Sequence, residues 1–284
     1  MTKLDTFESV FKSADKPVYE FSRIELSRVV VVTDLSEAEA APLLSHLRTF
    51  LSVLGDDPEW RHVGGPDYAS VGDLLGRIEE EAPDLVVTYR HLHSNAWQWP
   101  HGLGEYLDVL SQVTPFPILV LPHPETNHAL PHTIANTDTV MAITNHLTAD
   151  ARLVNYALRF TAPSGTCWLT HIESQRQFAQ FVSAVEKIPE IETDDVRQLV
   201  EVQLLKEPMD YIESCRREIK ARALPVKLEA IVEMGDRVAE YRRLVEDHRC
   251  DLLVLNTWEG GQPAMQGQAY SLAVELRAIP LLLI

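Results

Sequence analysis

Two glycines stand at matching places in two similar stretches. Gly104 is followed by Glu105 and Gly267 by Gln268, each lying between a polar loop and an apolar-periodic run. A glycine there lets main-chain N–H groups approach an anion, and a helix starting at that point adds its positive dipole end. The chemistry on offer is therefore binding of phosphate or carboxylate. Asp34 leaves the β-branched run Arg28–Thr33, and Asn145 leaves Val140–Thr144. An acid such as Asp34 between strand and helix is an ordinary N-terminal cap. Gly235-Asp236 reads as a plain turn. Gly260-Gly261 could approach a phosphate, but Glu259 beside it carries the wrong charge, which favours a flexible loop.

A third group is His91, His93 and His101, in one loop with Trp97 and Trp99. A His-x-His pair can ligate zinc, yet no cysteine or carboxylate at matching spacing completes a set, so these histidines read as structural or solvent-facing. Neither Ser36 and Ser271 nor Cys167, Cys215 and Cys250 comes with a histidine in a recognisable nucleophile motif. No catalytic residues are assigned, and the three cysteines read as reduced thiols.

The elements that must position these residues are strands and helices in alternation. Asp251-Leu-Leu-Val-Leu-Asn, a polar loop, Gly267, a helical stretch and Pro280-Leu-Leu-Leu-Ile form one unit. Asp84-Leu-Val-Val-Thr, a loop, Gly104, a helical stretch and Pro117-Ile-Leu-Val-Leu form another, with the same spacing from glycine to proline and the same apolar register between them. Such a match implies an internal duplication. The continuous apolar runs suit parallel strands covered on both faces. The spacing predicts an N-terminal extension over 1–27 with an amphipathic helix at Leu4, Phe7, Val10 and Phe11. A reduced repeat follows over 28–121, then a turn-rich linker over 122–138 and a full repeat over 139–284. Within the last, residues 175–224 are mainly helical, with breaks near Pro189 and Pro208. The fold class is α/β, with two tandem open parallel sheets, the first smaller. Each final strand, Ile118–Leu121 and Leu281–Ile284, should lie at a sheet edge that invites a partner, so the two repeats are expected to pair there. Dimerisation of whole chains is compatible with this and not required.

The chain has 284 residues, of which 45% are apolar and 24% charged, and a net charge of −17. That charge opposes attraction to nucleic acid or anionic membrane, with no basic block to offset it. No run approaches a membrane span and no signal peptide is evident, so a cytoplasmic location is expected.

Over residues 28–284 the order of elements resembles a tandem universal stress protein. What the resemblance implies is a parallel sheet in each repeat. It also implies, in members that bind ATP, an aspartate at the end of the first strand and a loop of the form Gly-x2-Gly-x9-Gly-Ser/Thr after the fourth. Asp34 matches the aspartate and Gly235-Asp236 the family's Gly-Asp near the base. Tyr89 and Leu92 stand in place of the first two glycines, and Glu105 follows Gly104 where a hydroxyl residue is expected. In the second repeat Asn145, Asn256, Glu259 and Gln268 replace the corresponding residues, while Gly267 stands. The loop lengths differ as well. With the phosphate loop so altered, the cap is the favoured role for Asp34, and Glu105 is expected to fill the helix N-terminus as an internal anion. The expectation is a non-enzymatic stress-response module that binds an unidentified protein partner, without the family's ATP site and with no cofactor. The alternative is a member holding ATP or another adenine nucleotide in its second repeat, around Asn145, Gly235, Asp236, Gly267 and Gln268.

Overall fold

The computed structural model describes residues 17–56, 58–98, 102–124, 134–144, 147–188, 193–257 and 268–284. Four strands come from the first half: β1 (Arg28–Val32), β2 (Glu59–Val63), β3 (Leu85–Tyr89) and β4 (Ile118–Leu121). Their helices are α1 (Glu37–Phe50), α2 (Val71–Glu81) and α3 (Glu105–Val113). The second half supplies five strands: β5 (Thr139–Thr144), β6 (Thr166–Ser174), β7 (Lys227–Gly235), β8 (Leu252–Leu255) and β9 (Leu281–Leu283). Its helices are α4 (Ala151–Phe160), α5 (Gln175–Val185), α6 (Thr193–Ala221), α7 (Arg237–Asp247) and α8 (Gln268–Glu275).

The strands form one nine-stranded sheet in the order β2-β1-β3-β4-β9-β8-β5-β6-β7. The two parallel sheets read from the sequence are half-sheets of it, fused at the centre by a single antiparallel pair. There Ile118 faces Leu283, Leu119 faces Leu282 and Val120 faces Leu281. All six side chains are buried, so the fused edge is also a core. The outer edges are β2, with Glu59 and Arg61, and β7, with Lys227, Glu229 and Glu233. Charges on free edges discourage further strand addition. The central strands Val29–Val32, Leu85–Val87 and Leu252–Leu255 are almost wholly buried, as continuous apolar runs covered on both faces require.

Helix α2 packs beside α3 and α7 beside α8, while α4 lies against the turn after α1 and α5 against α6. Helix α6 runs unbroken through Pro208, contrary to the expected interruption. Beyond the proline it buries Tyr211, Ile212, Cys215 and Ile219, and that apolar stripe outweighs the one main-chain hydrogen bond a proline forgoes. Pro189 lies outside the described residues, as do the N-terminal helix expected at 4–11 and linker residues 125–133.

Residues 17–27 have no regular secondary structure and strap the first half to the second. The buried Tyr19 donates its hydroxyl to Asn155 Oδ1 and its N–H to Ser214 Oγ, and its ring meets Tyr211 edge-on at 6.4 Å. Arg159 of α4 returns the contact, donating to the carbonyls of Ile24, Val53 and Leu54. No helix among the described residues is long and apolar enough to cross a membrane.

Candidate functional site

Open parallel sheets present ligand sites at the carboxyl ends of their strands, and each half has such an end. In the first half Asp34 follows β1, but it does not cap α1. That role falls to Ser36, whose N–H and Oγ both donate to Glu39, at 3.0 and 2.6 Å. The Asp34 carboxylate instead accepts the Tyr89 hydroxyl on Oδ1 and the His93 N–H on Oδ2 at 2.8 Å. Burial, then the bond to Asp34, raises the Tyr89 phenol. The residue standing where the nucleotide-binding pattern has its first glycine thus ties up the aspartate of that pattern. Beside it, Tyr68 donates its hydroxyl to the Thr33 carbonyl at 2.9 Å.

Gly104 precedes α3 with φ 98°, a conformation that favours glycine. Its close approach is to the protein itself, since an added Cβ would lie 2.7 Å from the Cα of His91. The loop is tight, with His91 and His93 both in the left-handed region at φ 60° and 56°. Glu105 is exposed, in the first turn of α3. Asp108, one turn further on, faces the Leu103 N–H and the Tyr270 hydroxyl of α8. These pull its carboxyl pKa down, but burial outweighs them and pushes it up, and Oδ1 has no partner among the described residues. A second link across the halves is Arg90. Its guanidinium, 3% exposed, donates to the carbonyls of Ala273 and Leu276 at the end of α8, where a helix dipole favours a cation. Burial depresses its pKa to about 9.

The histidines divide. His93 packs on the rings of Tyr68 and Tyr106 at 5.0 and 5.5 Å, whereas the His91 Nδ1 is buried without a partner among the described residues. His101 and Trp99 lie outside the described residues, as does the Trp97 side chain. No group of three metal-ligating side chains occurs among the described residues.

In the second half Asn145, Glu259, Gly260, Gly261, Gly267 and the Gln268 side chain lie outside the described residues. Gly235 ends β7, where an added Cβ would meet only the movable Glu240 side chain, at 2.7 Å. Asp236 caps α7 through the Ala239 N–H at 3.2 Å, so this pair is a strand-to-helix turn with a cap. Tyr241 of α7 donates to the Thr144 carbonyl at 3.3 Å, a counterpart of Tyr68 on Thr33. Asn256 donates to Asp150, which also caps α4.

Sequence reasoning passed over His171, Glu173 and Arg237, at the carboxyl end of β6 and the start of α7. His171 and Glu173 meet at 3.2 Å, and Arg237 Nε donates to the Ile172 carbonyl at 2.8 Å. The hydrogen bond from His171 holds the Glu173 carboxyl below its ordinary range, with Arg237 adding to the effect. The available signal was their spacing, two apart on one face at the end of an otherwise apolar strand. The His171 Nδ1 and the Tyr211 hydroxyl are buried without a partner among the described residues. The three cysteines are buried, with thiols raised to about 12 by burial, which makes them poor nucleophiles.

No protein-family model and no curated protein matches the chain. Among solved structures it is similar to a universal stress protein from Archaeoglobus fulgidus DSM 4304. The two are 13% identical and superpose with a TM-score of 0.50 over 90% of this chain and 95% of that one. A functionally unknown protein from Pseudomonas aeruginosa PAO1 is 11% identical, with a TM-score of 0.48 over 91% and 92% of the two chains. At such identities the likeness to the Archaeoglobus protein is one of architecture, and the fold of this chain is the universal-stress-protein-like α/β fold.

Proposed function

We propose that the protein is a cytoplasmic, non-enzymatic stress-response module, built by duplication of one α/β unit, that works by binding a protein partner and does not use ATP. The observation that carries this reading is the closure of the first cleft. The Asp34 carboxylate is occupied by Tyr89 and His93, and Gly104 packs on the His91 main chain where a phosphate would need room. Buried thiols with raised pKa values, and an Asp236 that serves as a helix cap, agree with a binding role better than with group transfer.

A second reading is an adenine nucleotide held by the second half. It is favoured by the His171 Nδ1 and the Tyr211 hydroxyl, buried polar atoms that the described residues leave without partners and that a polar ligand could serve. Mass spectrometry of the purified, denatured full chain separates the two. The first reading expects no stoichiometric adenine nucleotide, and no micromolar ATP binding by calorimetry with or without magnesium. Stoichiometric nucleotide would overturn it in favour of the second.

A further inference from the structure

Arg90 and His91 open the loop after β3, at the junction of the two halves. Arg90 reaches across to the end of α8, where the carbonyls of Ala273 and Leu276 accept from its guanidinium. Its Nε has no partner among the described residues, and the charge that acts on it belongs to another cation, Arg277, just past α8. A buried guanidinium is thus held by the negative end of a helix dipole, with no carboxylate among the groups that act on it.

His91 is fixed beside it. Its N–H donates to the Leu103 carbonyl at 3.0 Å, and its carbonyl accepts the Ser94 N–H at 3.1 Å. Gly104 closes over it so tightly that an added Cβ would lie 3.2 Å from Nδ1. The residue is 4% exposed, and Nδ1 is buried without a partner among the described residues. In the neutral ring that nitrogen forgoes one hydrogen bond. In the charged ring it is part of a buried ion, which costs far more unless a counter-charge meets it.

No counter-charge does. The groups that act on the ring are Arg90 before it, His123 after β4 and Arg277 after α8. Carboxylates on the surrounding elements have other partners: Asp34 has Tyr89 and His93, Asp108 has the Leu103 N–H and Tyr270, and Glu275 has Arg242. Glu105 is exposed at the start of α3.

We propose that His91 makes the junction of the two halves acid-sensitive: neutral, it fills its place beside Arg90, and protonated, it sets a second uncompensated charge there and frees the end of α8 from the first half. Burial, then Arg90, His123 and Arg277, hold its pKa below the unfolded value. Between the two values the unfolded chain binds more protons than the native one, so stability falls as pH falls through that window. The shift of Asp108 has the opposite sign and is common to every variant compared below.

The test is urea unfolding of the full chain at pH 7.5 and pH 5, on wild type, His91→Asn and His93→Asn, with amide exchange of the wild type at the same two values. Asparagine tolerates the positive φ of His91 and carries no charge at either pH. A histidine that stays neutral in the fold raises the unfolding equilibrium constant by up to about thirtyfold over this interval. The chain has 11 histidines, so the comparison between variants isolates one of them. His91→Asn should lose at least about threefold of the wild-type rise, and His93→Asn, exposed in the same loop, should keep it. Amide exchange, corrected for its intrinsic pH dependence, should show residues 270–279 opening more often at pH 5 while the central strands stay protected. Equal pH dependence in wild type and His91→Asn would overturn the proposal, as would unchanged protection of 270–279. If His91→Asn fails to fold, the wild-type exchange decides.

Discussion

The carboxyl ends of β1 and β5 occupy equivalent places in the two halves, and the protein treats them differently. Each has a tyrosine hydroxyl on the carbonyl of its last threonine, Tyr68 on Thr33 and Tyr241 on Thr144. Beyond that point the first half closes on itself. A charged group, Asp34, is satisfied by a phenol and an N–H from the loop after β3. Buried polar atoms without partners among the described residues occur in both halves, on Arg90, His91 and Asp108 in the first and on Thr137, Thr170, His171 and Tyr211 in the second. The second half also carries the extra helices α5 and α6 between β6 and β7. One architecture can therefore settle the corresponding ends of its two halves with different side chains. What a fold does must be read from its side chains.

The largest effect expected is on the seam between the halves. Removing Leu281–Ile284 takes away the strand that sits between β4 and β8, with four side chains at most 3% exposed. At roughly 1.5–3 kcal/mol for each buried aliphatic side chain, the loss is roughly 6–12 kcal/mol. A whole domain has only about 5–15 kcal/mol of stability. The truncated chain should therefore unfold or aggregate, as read by circular dichroism and gel filtration. An unchanged melting temperature would show that the halves hold together without their shared strand pair.

A smaller effect separates the two clefts directly. Tyr89→Phe leaves a carboxylate oxygen of Asp34 without its donor, and hydrogen bonds to charged groups are worth about 1.5–3 kcal/mol. Tyr241→Phe removes a hydroxyl that links two main-chain groups, the Thr144 carbonyl and the Ile172 N–H, in neutral bonds of about 0.5–1.5 kcal/mol. Urea unfolding should therefore show the larger loss for Tyr89→Phe. The reverse order would mean that the Asp34 carboxylate is held mainly by His93.

The strands were legible because fully covered parallel strands need uninterrupted apolar runs, and Val29–Val32, Leu85–Val87 and Leu252–Leu255 supply them. The contact of β4 with β9 followed from the same signal, since two apolar terminal strands need partners. Helix α6 was misread at Pro208 because the local rule for proline carries no information about the stripe from Tyr211 to Ile219 that packs below it. Asp34 was misread as a cap because its partners, Tyr89 at the end of β3 and His93 in the loop after it, lie more than fifty residues away. The strap, Arg90 and Asp108 were missed for a related reason. Their partners lie in the other half, and no periodicity within one half records them.

The smallest effect concerns which carboxylate serves the start of α3. Asp108 faces the Leu103 N–H and the Tyr270 hydroxyl, and burial raises its carboxyl pKa above the unfolded value. In the window between those two values the native state binds more protons than the unfolded chain, so stability falls as pH rises through it. Above the raised pKa the whole cost is present. Asp108→Asn keeps the shape and an acceptor for Tyr270 but carries no charge. It should therefore stabilise the protein at neutral pH by a few tenths of a kcal/mol, the size usual for substitutions outside the core. That gain should vanish below the unfolded carboxyl pKa, where Asp108 is protonated in both states. Glu105 is exposed at the first position of the same helix, so Glu105→Gln should change stability by no more than about 0.5 kcal/mol. Urea unfolding of both variants at pH 3 and pH 7 distinguishes them. A pH-dependent loss in Glu105→Gln with no change in Asp108→Asn would return the role of internal anion to Glu105. The expected pattern would instead tie the filling of the first cleft to the Asp108–Tyr270 contact, made only once the two halves have docked.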